Sequence, residues 1–176
     1  MIIVAILGKS GSGKSTLEKA LENMGFNRMI SYTTRNIRDG EVNHREYHFI
    51  NRDQFNKLID SDILIEHAEY NGNLYGAGKP IGNTKNVIVV EPNGLSKFKE
   101  LYGNQVVSAY IKVPQNIIDE RLDIRNNTPD IESRREADRV KFEGIEDKVD
   151  IVLDGTKQTS SLVVDILNEI LNRGLH

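Results

Sequence analysis

Residues 8–16 read Gly-Lys-Ser-Gly-Ser-Gly-Lys-Ser-Thr, and they follow the apolar run IIVAIL at positions 2–7. The pattern G-x-x-x-x-G-K-[ST], set between a buried strand and the helix it opens, constrains this chain more than any other feature. Its glycines let successive main-chain amides turn inward, so that they can surround phosphate oxygens at a positive helix terminus. Lys14 then adds a mobile charge for the β- and γ-phosphates, and the Ser15 hydroxyl suits a magnesium ion that keeps most of its waters. Gly8, Ser10, Gly11, Ser12, Gly13, Lys14, Ser15 and Thr16 are therefore the candidate nucleotide-binding residues. The alternative, a glycine-rich turn that binds nothing, leaves the agreement of strand, spacing, lysine and hydroxyl unexplained.

The rest of the chain alternates apolar, β-branched runs with longer helical patterns, which predicts an α/β fold around a parallel sheet. Buried strands are expected at 2–7, 87–90, 106–113 and 149–153, with more exposed strands near SYTT and ILIEHAEY. Helices are expected at 14–24, 52–61, 94–102, 115–125, 131–146 and 160–172, the last capped by Thr159. A chain of 176 residues is one domain of ordinary size. The 23 basic and 26 acidic residues leave a net charge of -3, which argues against a broad footprint for nucleic acid or anionic lipid. There is no cysteine, so a disulfide framework is excluded and a reducing, cytoplasmic setting is the simplest expectation. The apolar start MIIVAIL is too short to span a membrane.

A phosphate loop specifies a nucleotide, not what happens to it. Neither an Asn-Lys-x-Asp signal for guanine, as in a regulatory GTPase, nor an apolar strand ending in Asp for magnesium appears cleanly. The strand VIVV ends instead in Glu91-Pro92-Asn93-Gly94. Upstream, SYTTRNIRDGEVNHREYHF at 31–49 crowds hydroxyls, arginines and a tyrosine into one stretch, as a second anion site would require. A solvated surface with ordinary ion pairs is the other reading of the same residues.

Taken together, the phosphate loop, Ser31-Tyr32-Thr33-Thr34-Arg35, Arg38-Asp39-Gly40-Glu41, Tyr47-His48-Phe49, Ile65-Glu66-His67-Ala68 and Gly72-Asn73-Leu74-Tyr75-Gly76 resemble the guanylate kinases over nearly the whole chain. The resemblance implies a P-loop NTPase core with a parallel sheet flanked by helices (1–30, 81–119 and 141–176), a small mixed-β monophosphate-binding insertion (31–80) and a helical lid (120–140). It implies ATP as donor, magnesium as cofactor and GMP or dGMP as acceptor. Arg35, Arg38, Tyr47 and Tyr75 would clamp the acceptor phosphate, Glu66 and Ser31 would read guanine, and Glu91 would stand at the end of the strand. Arg121, Arg125 and either Arg134 or Arg135, taken as Arg135, would stabilise charge on the transferring group, although a salt-bridged helix would also explain them. Closure would move 32–80 and 120–140 against the sheet.

The sequence departs from that family at Ala77, where Ser or Thr is usual, and at Val89, where the first of two aspartates is usual. The connection AGKPIGNTKN at 77–86 is too short for the helix expected there, and Val152-Leu153-Asp154-Gly155 stands where an Asn-Asp pair is common. Two other classes stay open: a nucleoside monophosphate kinase with broader base choice, and a non-catalytic scaffold. His44, His48, His67 and His176 have no paired carboxylate spacing for a metal, and Glu18, Glu22 and Asp165 read as outward helix faces.

Overall fold

A computed structural model describes residues 1–70, 72–82, 84–123 and 131–175. In chain order the elements are β1 (Ile2–Gly8), α1 (Lys14–Asn23), β2 (Asn27–Arg28), β3 (Tyr32–Thr33), β4 (His48–Phe49), α2 (Arg52–Asp60), β5 (Leu64–Tyr70), β6 (Asn73–Gly78), β7 (Lys85–Val89), α3 (Pro92–Tyr102), β8 (Val106–Lys112), α4 (Gln115–Asp123), α5 (Ile131–Lys141), β9 (Ile151–Asp154) and α6 (Thr159–Asn172).

Every residue of β1 is buried, because a strand paired on both edges and covered on both faces has no polar side to show. It is the central strand of a five-stranded sheet in the order β2-β7-β1-β8-β9, with every pair parallel. One face packs Ile2, Val4 and Ile6 with Leu17 and Leu21 of α1 and Leu162, Ile166 and Ile170 of α6. The other packs Ile3, Ala5 and Leu7 with Leu95 and Phe98 of α3 and Phe142 beyond α5. The alternation of β1 side chains thus feeds two cores. The loop after β1 emerges at the carboxyl end of the sheet, where α/β folds hold their ligands.

The second sheet, ordered β4-β3-β6-β5, is mixed: β3 and β4 are parallel, while β3–β6 and β5–β6 are antiparallel. It has a small core of its own, Phe55, Leu64 and Leu74, closed by α2. A capping box in which Asn51 and Gln54 exchange hydrogen bonds starts that helix. Gly76 is needed there for space, since a Cβ would stand 2.8 Å from Leu64 Cδ1 and 3.0 Å from Phe55 Cζ.

Several boundaries differ from expectation. The helix begun at Ile131 stops at Lys141, not 146, and a left-handed Gly144 (φ 64°) leads into a 3-10 turn at Ile145–Lys148. Thr159 is the first residue of α6 and not its cap; Gln158 precedes it without a side-chain bond. α3 begins at Pro92, whose fixed φ suits a first helical position, two residues before the expected start. Between Gly78 and Lys85 no helix forms among the described residues, as the short connection predicted. No helix among the described residues is long and apolar enough to cross a membrane.

Candidate active site

The loop between β1 and α1 is closed by its own groups. Gly11 (φ 78°) and Gly13 (φ 100°) are left-handed, a conformation a Cβ would strain, and Gly13 caps α1. Lys14 Nζ donates to the Gly8 carbonyl at 2.7 Å and to that of Lys9 at 3.0 Å. The Ser10 amide donates to Asp138 Oδ2 at 2.7 Å, so a carboxylate from α5 stands on the anion-binding amide. Ser15 and Thr16 are exposed in the first turn of α1, while the buried Ser12 hydroxyl has no hydrogen-bond partner among the described residues.

Arg121 on α4 grips the loop from behind, donating to the Gly11 and Ser12 carbonyls at 3.4 Å each and to Gly155 at 3.0 Å. The family resemblance implies a place for it over the transferring phosphoryl. In this conformation its guanidinium bonds the Gly11, Ser12 and Gly155 carbonyls. Arg125 lies outside the described residues, and so do the side chains of Arg134 and Arg135, although α5 carries their backbone.

Opposite the loop, the small sheet gathers residues expected to meet an acceptor. The Thr33 hydroxyl donates to the Leu74 carbonyl at 2.9 Å and accepts from the Arg35 amide at 3.1 Å, which fixes the chain as it leaves β3. The Arg35 guanidinium stacks 5.7 Å from the Tyr47 ring and 5.4 Å from Phe49 and pairs with Glu41 at 2.8 Å. Burial pulls its pKa down, but the Glu41 hydrogen bond and charge outweigh that and raise it overall. Tyr47 meets Tyr75 edge-on at 6.0 Å, and burial pushes the Tyr47 phenol above its ordinary range, so it stays a donor. Arg38 is exposed; its main-chain amide donates to Glu41 Oε2 at 2.8 Å and its carbonyl accepts from the Glu41 amide at 3.1 Å. Arg35, Tyr47 and Tyr75 are thus brought together; Arg38 is not yet among them.

Between the two walls is a cavity of about 220 Å³. Gly8, Ser10 and Lys14 line one side, and Ser31, Tyr47, Glu66 and Tyr75 the other. Glu66 gets there through a bulge: Leu64 pairs with Gly78 but Glu66 with Ala77, so Ile65 is the extra residue that re-aims the strand. Burial raises the Glu66 pKa, and the charge of Glu91 raises it further. Glu91, the residue before α3, also borders the cavity, and Lys141 reaches it at 2.8 Å. Arg35 faces an adjoining open groove shared with Asn36, Phe49 and Arg52.

Val89 lines the cavity as an apolar patch, whereas Ala77 is buried in the core with Ile88 and Leu95. Glu18 corrects the sequence reading. It is only 5% exposed, not on an outward face, and it pairs with Arg28 Nε at 2.8 Å. Burial lifts its pKa to about 6 despite Arg28. Asp138, Lys141 and Phe142 escaped the sequence reading, because acids and bases on a predicted helix look like a solvated face until the fold brings α5 over the loop.

No group of three or more His, Asp or Glu among the described residues could hold a metal. One exposed hydroxyl, Ser15, at a helix N-terminus suits a cation held mostly by phosphate and water oxygens, which is how magnesium prefers to bind. The site as a whole can hold two anionic groups end to end, with a carboxylate at one extremity.

The family model "Guanylate kinase" matches residues 1–170. A guanylate kinase of Homo sapiens is 37% identical over 132 residues, covering 70% of this chain and 67% of its own. One from Malacoplasma penetrans is 31% identical over 181 residues, covering 95% and 92%. The solved guanylate kinase of Anaplasma phagocytophilum aligns with a TM-score of 0.70 and 26% identity over 97% of this chain and 85% of that one. A shikimate kinase from Aquifex aeolicus, at 18% identity and TM-score 0.53, shares the fold alone. A loop of phosphate-binding pattern shares a cavity with Ser31, Tyr47, Glu66 and Tyr75, the family match runs over nearly the full length, and the chain belongs to the guanylate kinase family.

Proposed function

We propose that this protein transfers the γ-phosphoryl group of ATP to GMP, giving ADP and GDP. One observation carries the reading: Glu66, Ser31, Tyr47 and Tyr75 share a cavity with Lys14 and the loop residues Gly8 and Ser10. A carboxylate at that end can accept two hydrogen bonds from the N1–H and exocyclic amine of guanine, which adenine does not offer in that arrangement. Tyr47, Tyr75 and Arg35 suit the acceptor's dianionic phosphate, with Arg38 joining them when its exposed side chain swings in.

An acceptor phosphate oxygen attacks the γ-phosphorus as the bond to the β,γ-bridging oxygen breaks, and ADP leaves with that oxygen. No covalent enzyme intermediate is needed, so positioning and neutralisation of charge are the task. Lys14 must release the Gly8 and Lys9 carbonyls to reach the phosphates, and Asp138 must leave the Ser10 amide to the incoming anion. Arg121 holds the loop in shape meanwhile, and would have to give up Gly155 to approach the transferring group. Magnesium, held by Ser15 and the donor's phosphates, would supply positive charge at the β- and γ-oxygens. Residues 32–80 and 120–140, of which 71 and 124–130 lie outside the described residues, are the parts we assign to closing over the two nucleotides, which excludes water from the transfer. The cysteine-free sequence supports a cytoplasmic setting.

Release of ADP from ATP, measured with a panel of nucleoside monophosphates, tests the assignment. GMP and dGMP should be far better acceptors than AMP, CMP or TMP. Equal rates across the panel would remove guanine from the reading, and ATP binding with no transfer to any of them would remove catalysis.

A further inference from the structure

Most glycines here sit at positive φ, but Gly76, Gly78, Gly94 and Gly155 do not, so their backbones would accept any residue. Such a glycine is present for space. At Gly76 and Gly155 an added Cβ would press on Leu64 and Phe55, or on Ile111 and Val113, and at Gly78 it would touch the Tyr32 ring. These are packing neighbours. Gly94 differs: its Cβ would stand 3.2 Å from Glu66 Cδ and 3.4 Å from both Cγ and Oε1. Gly94 is buried in the first turn of α3, where alanine would favour the helix and glycine weakens it.

We propose that Gly94 is a positioning residue for acceptor specificity: by lacking a side chain it lets the Glu66 carboxylate lie against the first turn of α3 and face the cavity. The inference rests on the reading of Glu66 as the group that recognises the acceptor's base. The geometry has three parts. The bulge at Ile65 aims Glu66 toward the cavity, Ala77 sits opposite it across the β5–β6 pair, and the turn Pro92-Asn93-Gly94 forms the surface behind it. That surface is the positive end of a helix, which favours a carboxylate. A methyl group at 94 would push the carboxylate by a few tenths of an ångström, comparable with the tolerance of a bidentate contact.

The experiment is a double-mutant cycle of Gly94→Ala and Glu66→Ala, read as KM for GMP, KM for ATP, GMP binding by calorimetry, and melting temperature. Gly94→Ala should raise KM and Kd for GMP roughly three- to tenfold, leave KM for ATP unchanged, and leave the melting temperature equal or higher. In the Glu66→Ala background the same change should have no further effect on GMP, since nothing is left to displace. A purely structural glycine would instead lower the melting temperature and shift GMP binding equally in both backgrounds, which overturns the proposal. So does Gly94→Ala with unaltered GMP binding while Glu66→Ala weakens it, an outcome that leaves the role of Glu66 standing. Should Glu66→Ala itself leave GMP binding untouched, the base reading fails and the role of Gly94 fails with it.

Discussion

The two walls of the cavity are built on opposite plans. The donor wall is mainly backbone, and in this conformation its groups are occupied by the protein: Lys14 on two carbonyls, the Ser10 amide on Asp138, Arg121 on three carbonyls. On the proposed acceptor wall the groups are side chains from β4, β5 and β6 and their flanks, and Glu66 stands in the cavity with no ion pair among the described residues. A backbone nest holds its shape from local turn geometry but leaves polar groups that must bond something, so the loop borrows a carboxylate and a lysine until phosphate arrives. A side-chain pocket needs a second sheet to hold it, but it can leave its specificity group open. The donor wall has to be unlocked, whereas the acceptor wall is largely assembled.

Lys14→Met should break the comparison most severely. It removes the loop lysine proposed to meet the phosphates, and turnover should fall on the order of 10²–10³-fold while circular dichroism and melting stay as in the parent. Near-normal ADP release from that variant would refute the mechanism. Next in size, Glu66→Gln keeps one acceptor oxygen but loses the second, and kcat/KM for GMP should drop about 10²-fold with KM for ATP unchanged. An equal rise in both KM values would mean that Glu66 shapes the fold and not the acceptor pocket.

Glu18 sits on α1, close enough for its charge to raise the Tyr47 pKa on the other side of the cavity. Its folded pKa of about 6 lies above the ordinary 4.5, so between those values the folded state holds more protons than the unfolded one. Stability from this residue is therefore greatest below pH 4.5 and declines as pH rises to 6, by at most roughly 2 kcal/mol. Denaturant melts of the parent and Glu18→Gln across that range should diverge; parallel curves would show that the buried charge costs nothing. Asp138→Asn is the smallest change. Weakening the carboxylate that competes for the Ser10 amide should tighten ATP binding about tenfold and leave GMP binding alone. Calorimetric titrations with each nucleotide separate the two, and unaltered ATP affinity would mean that the carboxylate does not compete.

Much of this was legible without coordinates, and the reason differs by region. The run from Ile2 to Thr16 is self-sufficient: apolar residues, glycines at set spacing, then Lys14 and Ser15 define strand, loop and helix through neighbours a few positions away. The residues proposed to meet the acceptor, from Ser31 to Tyr75, stand out by the order of short motifs, and the small sheet brings Ser31, Tyr47, Glu66 and Tyr75 to one cavity. Glu18 was misread because a helix pattern shows which residues are polar, not how many layers cover them. Once β2 and β7 flank α1, a charge between Leu17 and Leu21 must be buried, and Arg28 at the end of β2 answers it.

By itself, then, the sequence determined the parallel α/β frame, the phosphate loop and the residue types available to meet a second nucleotide, since those follow from local periodicity and local conformational freedom. Only the tertiary structure decided that a bulge turns Glu66 inward, that Gly94 makes room behind it, and that Asp138 stands on an amide 128 residues away. Contacts between residues so far apart are set by how sheets twist and helices pack, and no window of the chain contains both partners.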